Sequence, residues 1–215
     1  LRTLDARTPL VEVFRRNPRI VATLALWILP IGVSLWLLRA SASAPPIILE
    51  RHTDLATVGV FGALAYLQSA LSTLSGAIGS ASSARLRSYY RRQKRKAFLR
   101  LTLKLVLLST SVGGLAIGIA VFAGDVILKV LFGEAFMRGD LLVVIMLASA
   151  LHLTYTPLVT AVTAAQAFGR RLFNTATGFV VALGASLLLI PEYGAFGAAW
   201  ALVALAASGL VLNCV

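Results

Sequence analysis

Acid is what this sequence has least of. Eight Asp and Glu stand against twenty Lys and Arg in 215 residues, a net charge of +12. Charged residues make up 13% of the chain, about half the ~25% of an average soluble domain. One cysteine, Cys214, leaves no internal disulfide, and His52 and His152 lie too far apart for metal-ligand spacing, so neither metal nor cofactor is expected. All eight acids, Asp5, Glu12, Glu50, Asp54, Asp125, Glu134, Asp140 and Glu192, fall outside the long apolar runs. Paired carboxylates, a nucleophile with its base, and a metal cluster are all missing from the pattern, so the chain is not expected to be an enzyme.

What is present is apolar. Hydrophobic residues make up 59% of the sequence, with a mean hydropathy of +0.88. The composition predicts an all-α, polytopic membrane bundle. Runs of about the ~20 residues a helix needs to cross the hydrocarbon occur over 20–44, 55–80, 105–124, 141–165, 172–190 and 195–212. Residues 1–19 are polar and read as a cytoplasmic lead-in. The stretch Arg15, Arg16 and Arg19, an apolar run and Ala40, Ser41, Ala42, Ser43, Ala44 imitates a secretory signal. Its core is longer than a signal allows, and Arg39 interrupts the approach to the small residues.

Orientation rests on the stretch Arg85, Arg87, Tyr89, Tyr90, Arg91, Arg92, Lys94, Arg95, Lys96, Arg100 and Lys104, which contains no carboxylate. Read as a cytoplasmic loop over 85–104, with 1–19 and a tight turn at Arg170 and Arg171 on the same side, it gathers sixteen of the twenty cations inside. Only Arg39, Arg51, Lys129 and Arg138 lie outside, so six spans with both ends cytoplasmic satisfy the positive-inside rule. A cationic total this high invites a nucleic-acid reading. The cations are nevertheless confined to short segments between apolar runs, which excludes it.

Within the runs, Pro30 predicts a kink, and Pro45 with Pro46 predicts a helix break before a polar connection at Glu50, Arg51, His52 and Asp54. Residues 125–140 are expected to form a short helix lying in the interface. Gln68, Ser72, Ser75 and Gly79 recur at three- and four-residue steps and share one helix face, which either packs against a neighbouring helix or lines a water-filled cavity. Gly113, Gly114 and Gly118 form a second small face suited to close packing. Arg39 either pairs with a phosphate through its planar fork or snorkels to headgroups. His152, beside Thr154, Tyr155, Thr156 and Pro157, is a candidate proton relay or a neutral imidazole hydrogen-bonded in the bundle.

The segment Leu189, Ile190, Pro191, Glu192, Tyr193, Gly194, Ala195, Phe196, Gly197, Ala198, Ala199, Trp200, Ala201 resembles the turn from the penultimate to the last helix of polysaccharide flippases, the Wzx-like branch of the multidrug/oligosaccharidyl-lipid/polysaccharide (MOP) superfamily. Val58 to Leu67, Ser83 to Tyr89 with Lys96, Ala97 and Phe98, and Leu131 to Phe136 are similar to that family's eighth helix, its following loop and the segment before its tenth helix. The resemblance covers nearly the whole chain in order, as the C-terminal six-helix lobe.

It implies a partner N-terminal six-helix lobe, alternating access, and export of a polyprenyl-pyrophosphate-linked oligosaccharide across the inner membrane. O-antigen of lipopolysaccharide, capsule or exopolysaccharide would be the end product. The family's cavity-facing helices map to 20–44 and 55–80, so substrate contacts are expected at Arg39, Tyr66, Gln68 and Ser72. Other cavity cations of that branch have no counterpart in these two stretches. Membrane lipid, and a polysaccharide polymerase or glycosyltransferases, are further expected partners. A peptidoglycan-precursor flippase, a multidrug antiporter of the same superfamily and a non-transporting scaffold for polysaccharide assembly are the alternatives. The chain is expected to be half of a longer transporter.

Overall fold

The computed structural model describes residues 18–165 and 168–214. The lead-in expected over 1–19 therefore lies outside the described residues up to position 17. Six helices account for almost everything else: α1 (Pro18–His52), α2 (Leu55–Arg91), α3 (Arg95–Phe132), α4 (Gly139–Ala164), α5 (Phe168–Tyr193) and α6 (Ala195–Cys214), with a 3-10 turn at Glu134–Phe136. No strand occurs among the described residues. All six helices are long and apolar enough to cross a membrane. They alternate direction, so the α2–α3 and α4–α5 connections share one end of the bundle and the α1–α2, α3–α4 and α5–α6 connections share the other.

The helices overrun several boundaries that composition predicts. Helix α1 continues through Pro30, Pro45 and Pro46 to His52 rather than breaking at the proline pair. Each proline removes one backbone donor, but unwinding a whole turn in an apolar medium would strand more groups than that. The basic stretch 85–104 is likewise mostly helix, not loop. From Ser80 to Val112 there is no Gly or Pro, and Arg and Lys are good helix formers. Reversal takes only Arg92 to Lys94, around Gln93 in the left-handed region at φ 55°, with the Lys94 amide donating to the Tyr89 carbonyl at 3.0 Å.

Residues 125–140 do not form a separate interfacial helix. α3 carries on to Phe132, and Gly133 at φ 92° ends it. The Gly139 amide donates to Asp125 Oδ1 at 3.0 Å and Lys129 Nζ meets Glu134 Oε1 at 2.6 Å, closing the turn. Arg170 and Arg171 are not a turn either; they sit in the first turn of α5. Pro191 is inside the last turn of α5, and Gly194 alone, at φ 54°, makes the reversal into α6. Beyond it the α6 backbone lies so close that a Cβ on Gly197 would run into the Leu189 carbonyl. At the α1–α2 connection, Thr57 Oγ1 donates to Asp54 Oδ1 at 2.6 Å, a bond that holds this carboxyl below its ordinary value.

Helix α4 is the hub, packed on α3, α6 and α2, while α5 packs on α6 and α1. The apolar core is concentrated in one half of the bundle. Leu49 of α1, Phe61 and Leu64 of α2, Leu128 of α3, Leu141 and Ile145 of α4, Ile190 of α5, and Ala198 and Ala199 of α6 are essentially sealed. All of these lie near the end that carries the α1–α2, α3–α4 and α5–α6 connections. Lipid is as apolar as leucine, so what holds the helices here is close packing rather than exclusion of water. That leaves the half near the basic connections free for something other than core.

Candidate functional site

In that other half α1 and α2 part, and a cleft of about 390 Å³ opens between α1, α2, α4, α5 and α6. Each helix supplies a stripe at helical spacing. α2 gives Gly76, Ser80, Ser83 and Arg87; α4 gives His152, Thr156, Thr160 and Thr163; α5 gives Arg171, Asn174 and Gly178. α1 contributes Ser34 and Ser41, and α6 Gly209 and Asn213. Arg87 and Arg171 stand toward the basic end, while His152 and Tyr155 lie deeper, as their positions along the helices dictate. No carboxylate lines the cleft among the described residues.

The polar groups are held in place rather than loose. Arg171 Nη1 donates to Thr163 Oγ1 at 3.0 Å, fixing one guanidinium face and leaving its other donors for a ligand. Asn174 Nδ2 donates to the Leu212 carbonyl and to Asn213 Oδ1, both at 3.1 Å, which ties α5 to the end of α6. Thr156 and Thr160 return their hydroxyl protons to carbonyls one turn back, at 2.7 and 3.0 Å. This back-bonding lowers the cost of a hydroxyl inside a span and leaves lone pairs facing the cleft. His152 Nδ1 lies 3.1 Å from Tyr155 Oη, with the rings edge to face at 5.0 Å. Small residues make the room: a Cβ on Gly79 would be 3.2 Å from Thr160 Oγ1, and one on Gly209 would be 3.0 Å from the Tyr155 ring.

Of the residues named from sequence, the cleft gathers Ser41, Gly79, Arg87, His152, Tyr155, Thr156 and Arg171. Arg39 is exposed on α1; Tyr66, 73% exposed, Gln68 and Ser72 lie on α2, and none of the four lines the cleft. Ser75 is buried with its hydroxyl unpartnered, so the face Gln68, Ser72, Ser75, Gly79 divides between packing and the cleft edge. The neighbouring register is the open one. Ser69, Ser72, Gly76, Ser80, Ser83 and Arg87 follow at three- or four-residue steps down one side of α2, and Ser69, Ser72, Gly76 and Ser80 are exposed. That alternative spacing, and the parallel His152, Thr156, Thr160, Thr163 on α4, were available signals for the site. Arg85, Arg91, Arg92, Lys94, Arg95 and Lys96 cluster at the α2–α3 tip outside the cleft, and Arg170 is exposed beside Arg171.

These features define a class: an all-α bundle of six helices long enough to span a membrane, with an arginine-mouthed cleft in one half, where hydroxyl and amide side chains are set among apolar and small residues, and a sealed apolar core in the other. Over 180 residues the chain is 26% identical to the "Capsular polysaccharide biosynthesis protein CapF" of Staphylococcus aureus, a similarity covering 80% of this chain and 43% of that protein. The chain thus spans less than half the length of that relative. No family model matches the chain, and no solved structure does.

Proposed function

We propose that this chain is one lobe of a membrane flippase that exports lipid-linked oligosaccharide for surface polysaccharide, working by alternating access together with a second lobe. The observation that carries the reading is the cleft. An arginine on a spanning helix is costly against hydrocarbon, so the face of α2 that leads to Arg87 is assigned to water or to a polar ligand, with its serines back-bonded to their own helix. The positive-inside rule puts the mouth with Arg87 and Arg171 in the cytoplasm, where a lipid-linked precursor is loaded. Guanidinium forks suit a phosphate, and the Ser, Thr and Asn groups behind them suit sugar hydroxyls. A volume of about 390 Å³, at the low end of the ~300–1,000 Å³ of ligand pockets, takes part of a polar head and leaves the lipid tail outside.

The relative from Staphylococcus aureus is named for capsular polysaccharide biosynthesis, which supports a polysaccharide cargo over a drug. The lack of a carboxylate in the cleft argues in the same direction, because a cationic drug or a coupling cation would want one. Arg39, Tyr66, Gln68 and Ser72 lie on α1 and α2 outside the cleft. In a strain lacking the gene, the full-length protein should restore surface polysaccharide, and the Arg87→Ala/Arg171→Ala variant at equal abundance should not. Full restoration by the double variant would remove the cleft from the transport path.

A further inference from the structure

We propose that the outer face of the first three turns of α3 is a binding site for anionic phospholipid headgroups, formed by Lys96, Arg100 and Lys104 above a row of leucines. It stands independently of the cargo.

The inward face of this segment is defined by Phe98, half-buried and in ring contact with Tyr90 at 6.1 Å, by Thr102 and Ser109, both buried, and by Gly113 against α4. Counting at 100° per residue, Lys96, Arg100 and Lys104 fall on the opposite side, and Leu99, Leu103 and Leu107 fall beside them. All six are exposed, the leucines to 65%, 59% and 59%. A leucine row left open at the head of a spanning helix fits acyl chains. Cations on the adjoining face can lay their methylene stems along the same chains and lift their charge to the phosphates. Orientation by positive charge alone needs no such segregation, since it depends on where cations lie along the chain rather than around the helix.

Charge balance points the same way. The described carboxylates, Glu50, Asp54, Asp125, Glu134, Asp140 and Glu192, all lie toward the opposite end of the bundle. The ion pair found among the described residues, Lys129 with Glu134, is there too. Eleven described cations, from Arg85 through Lys104 plus Arg170 and Arg171, therefore share the basic end without a carboxylate among the described residues. No described carboxylate is there to neutralise them, and the anion that the membrane offers at this depth is a lipid phosphate. Successive cations one helical turn apart, about 6 Å, can engage neighbouring headgroups or two phosphates of one lipid.

The test is lipid retention. The full chain is placed in nanodiscs of phosphatidylcholine with a minor fraction of phosphatidylglycerol, then extracted, and the co-purifying lipid is identified by mass spectrometry. Phosphatidylglycerol should be enriched over its share of the disc. Lys96→Gln/Arg100→Gln/Lys104→Gln should reduce that enrichment roughly tenfold, whereas Arg91→Gln/Arg92→Gln/Lys94→Gln at the tip, away from the leucines, should keep most of it. Leu99→Ser/Leu103→Ser, with every charge intact, should also lower it, and inorganic phosphate should not displace the lipid. Equal retention by the stripe variant and the unchanged chain would overturn the site. Displacement by inorganic phosphate would overturn the lipid as its ligand.

Discussion

Gly113 is where one methyl group decides whether α3 and α4 can touch. A Cβ there would stand 2.8 Å from the Ala150 Cβ and 2.9 Å from its Cα, a backbone neighbour that cannot step aside, while Gly114 and Gly118 face open space. The three glycines looked equivalent in the sequence, because spacing says which residues share a face and not which face meets a partner. Gly113→Val should therefore cost about 1–3 kcal/mol of overpacking and lower the melting temperature in detergent, whereas Gly118→Ala, in open space, should hold or raise it. Gln93 supplies a second test of backbone geometry. At φ 55° it holds a conformation that glycine adopts freely, so Gln93→Gly should be tolerated or stabilising and Gln93→Val should destabilise by about 1–2 kcal/mol, read by the same melt.

At the scale of the helix, the six apolar runs and their order were legible because hydropathy alone marks them. Their ends were not. Proline at 45, 46 and 191 and arginine at 85–100 and 170–171 suggest breaks and loops by the habits of soluble chains. In an apolar medium the backbone keeps its hydrogen bonds through such residues, and α1, α2, α3 and α5 run on past them. The α2 site was half legible for a related reason. Gln68 drew attention as the most polar side chain, yet the open face runs one register away through Ser69, Ser72, Gly76, Ser80, Ser83 and Arg87. The stripe on α4 was visible only at His152, since threonines beside a proline read equally well as back-bonded packing.

The basic helix tips give a prediction that belongs to these elements. Replacing Arg91, Arg92, Lys94, Arg95 and Lys96 together with Gln should invert or mix the insertion of the α2–α3 hairpin. In a Cys214→Ser background, a Ser88→Cys label near the tip would report this by its accessibility to a membrane-impermeant thiol reagent from each side. Unchanged sidedness would show that the remaining arginines suffice to orient the chain.

For the whole molecule, two halves divide the work. The half around Leu49, Phe61, Ile145 and Ala198 is sealed and gives the bundle a rigid end. The other half keeps α1 and α2 apart, and polar stripes from five helices converge there behind two arginines. A bundle built this way can change what its mouth faces without unpacking its core, which the proposed alternating access would require. In the proposed function this cleft handles the polar head of a lipid-linked oligosaccharide on its way across. The most direct measurement is transport by the full-length protein in proteoliposomes, using a polyprenyl-pyrophosphate-linked oligosaccharide whose sugar is labelled and scored by its accessibility to an external glycosidase. The sugar should change sides with the unchanged protein, and transfer should fall to the protein-free rate with Arg87→Ala/Arg171→Ala. Transfer by the double variant at the unchanged rate would contradict it.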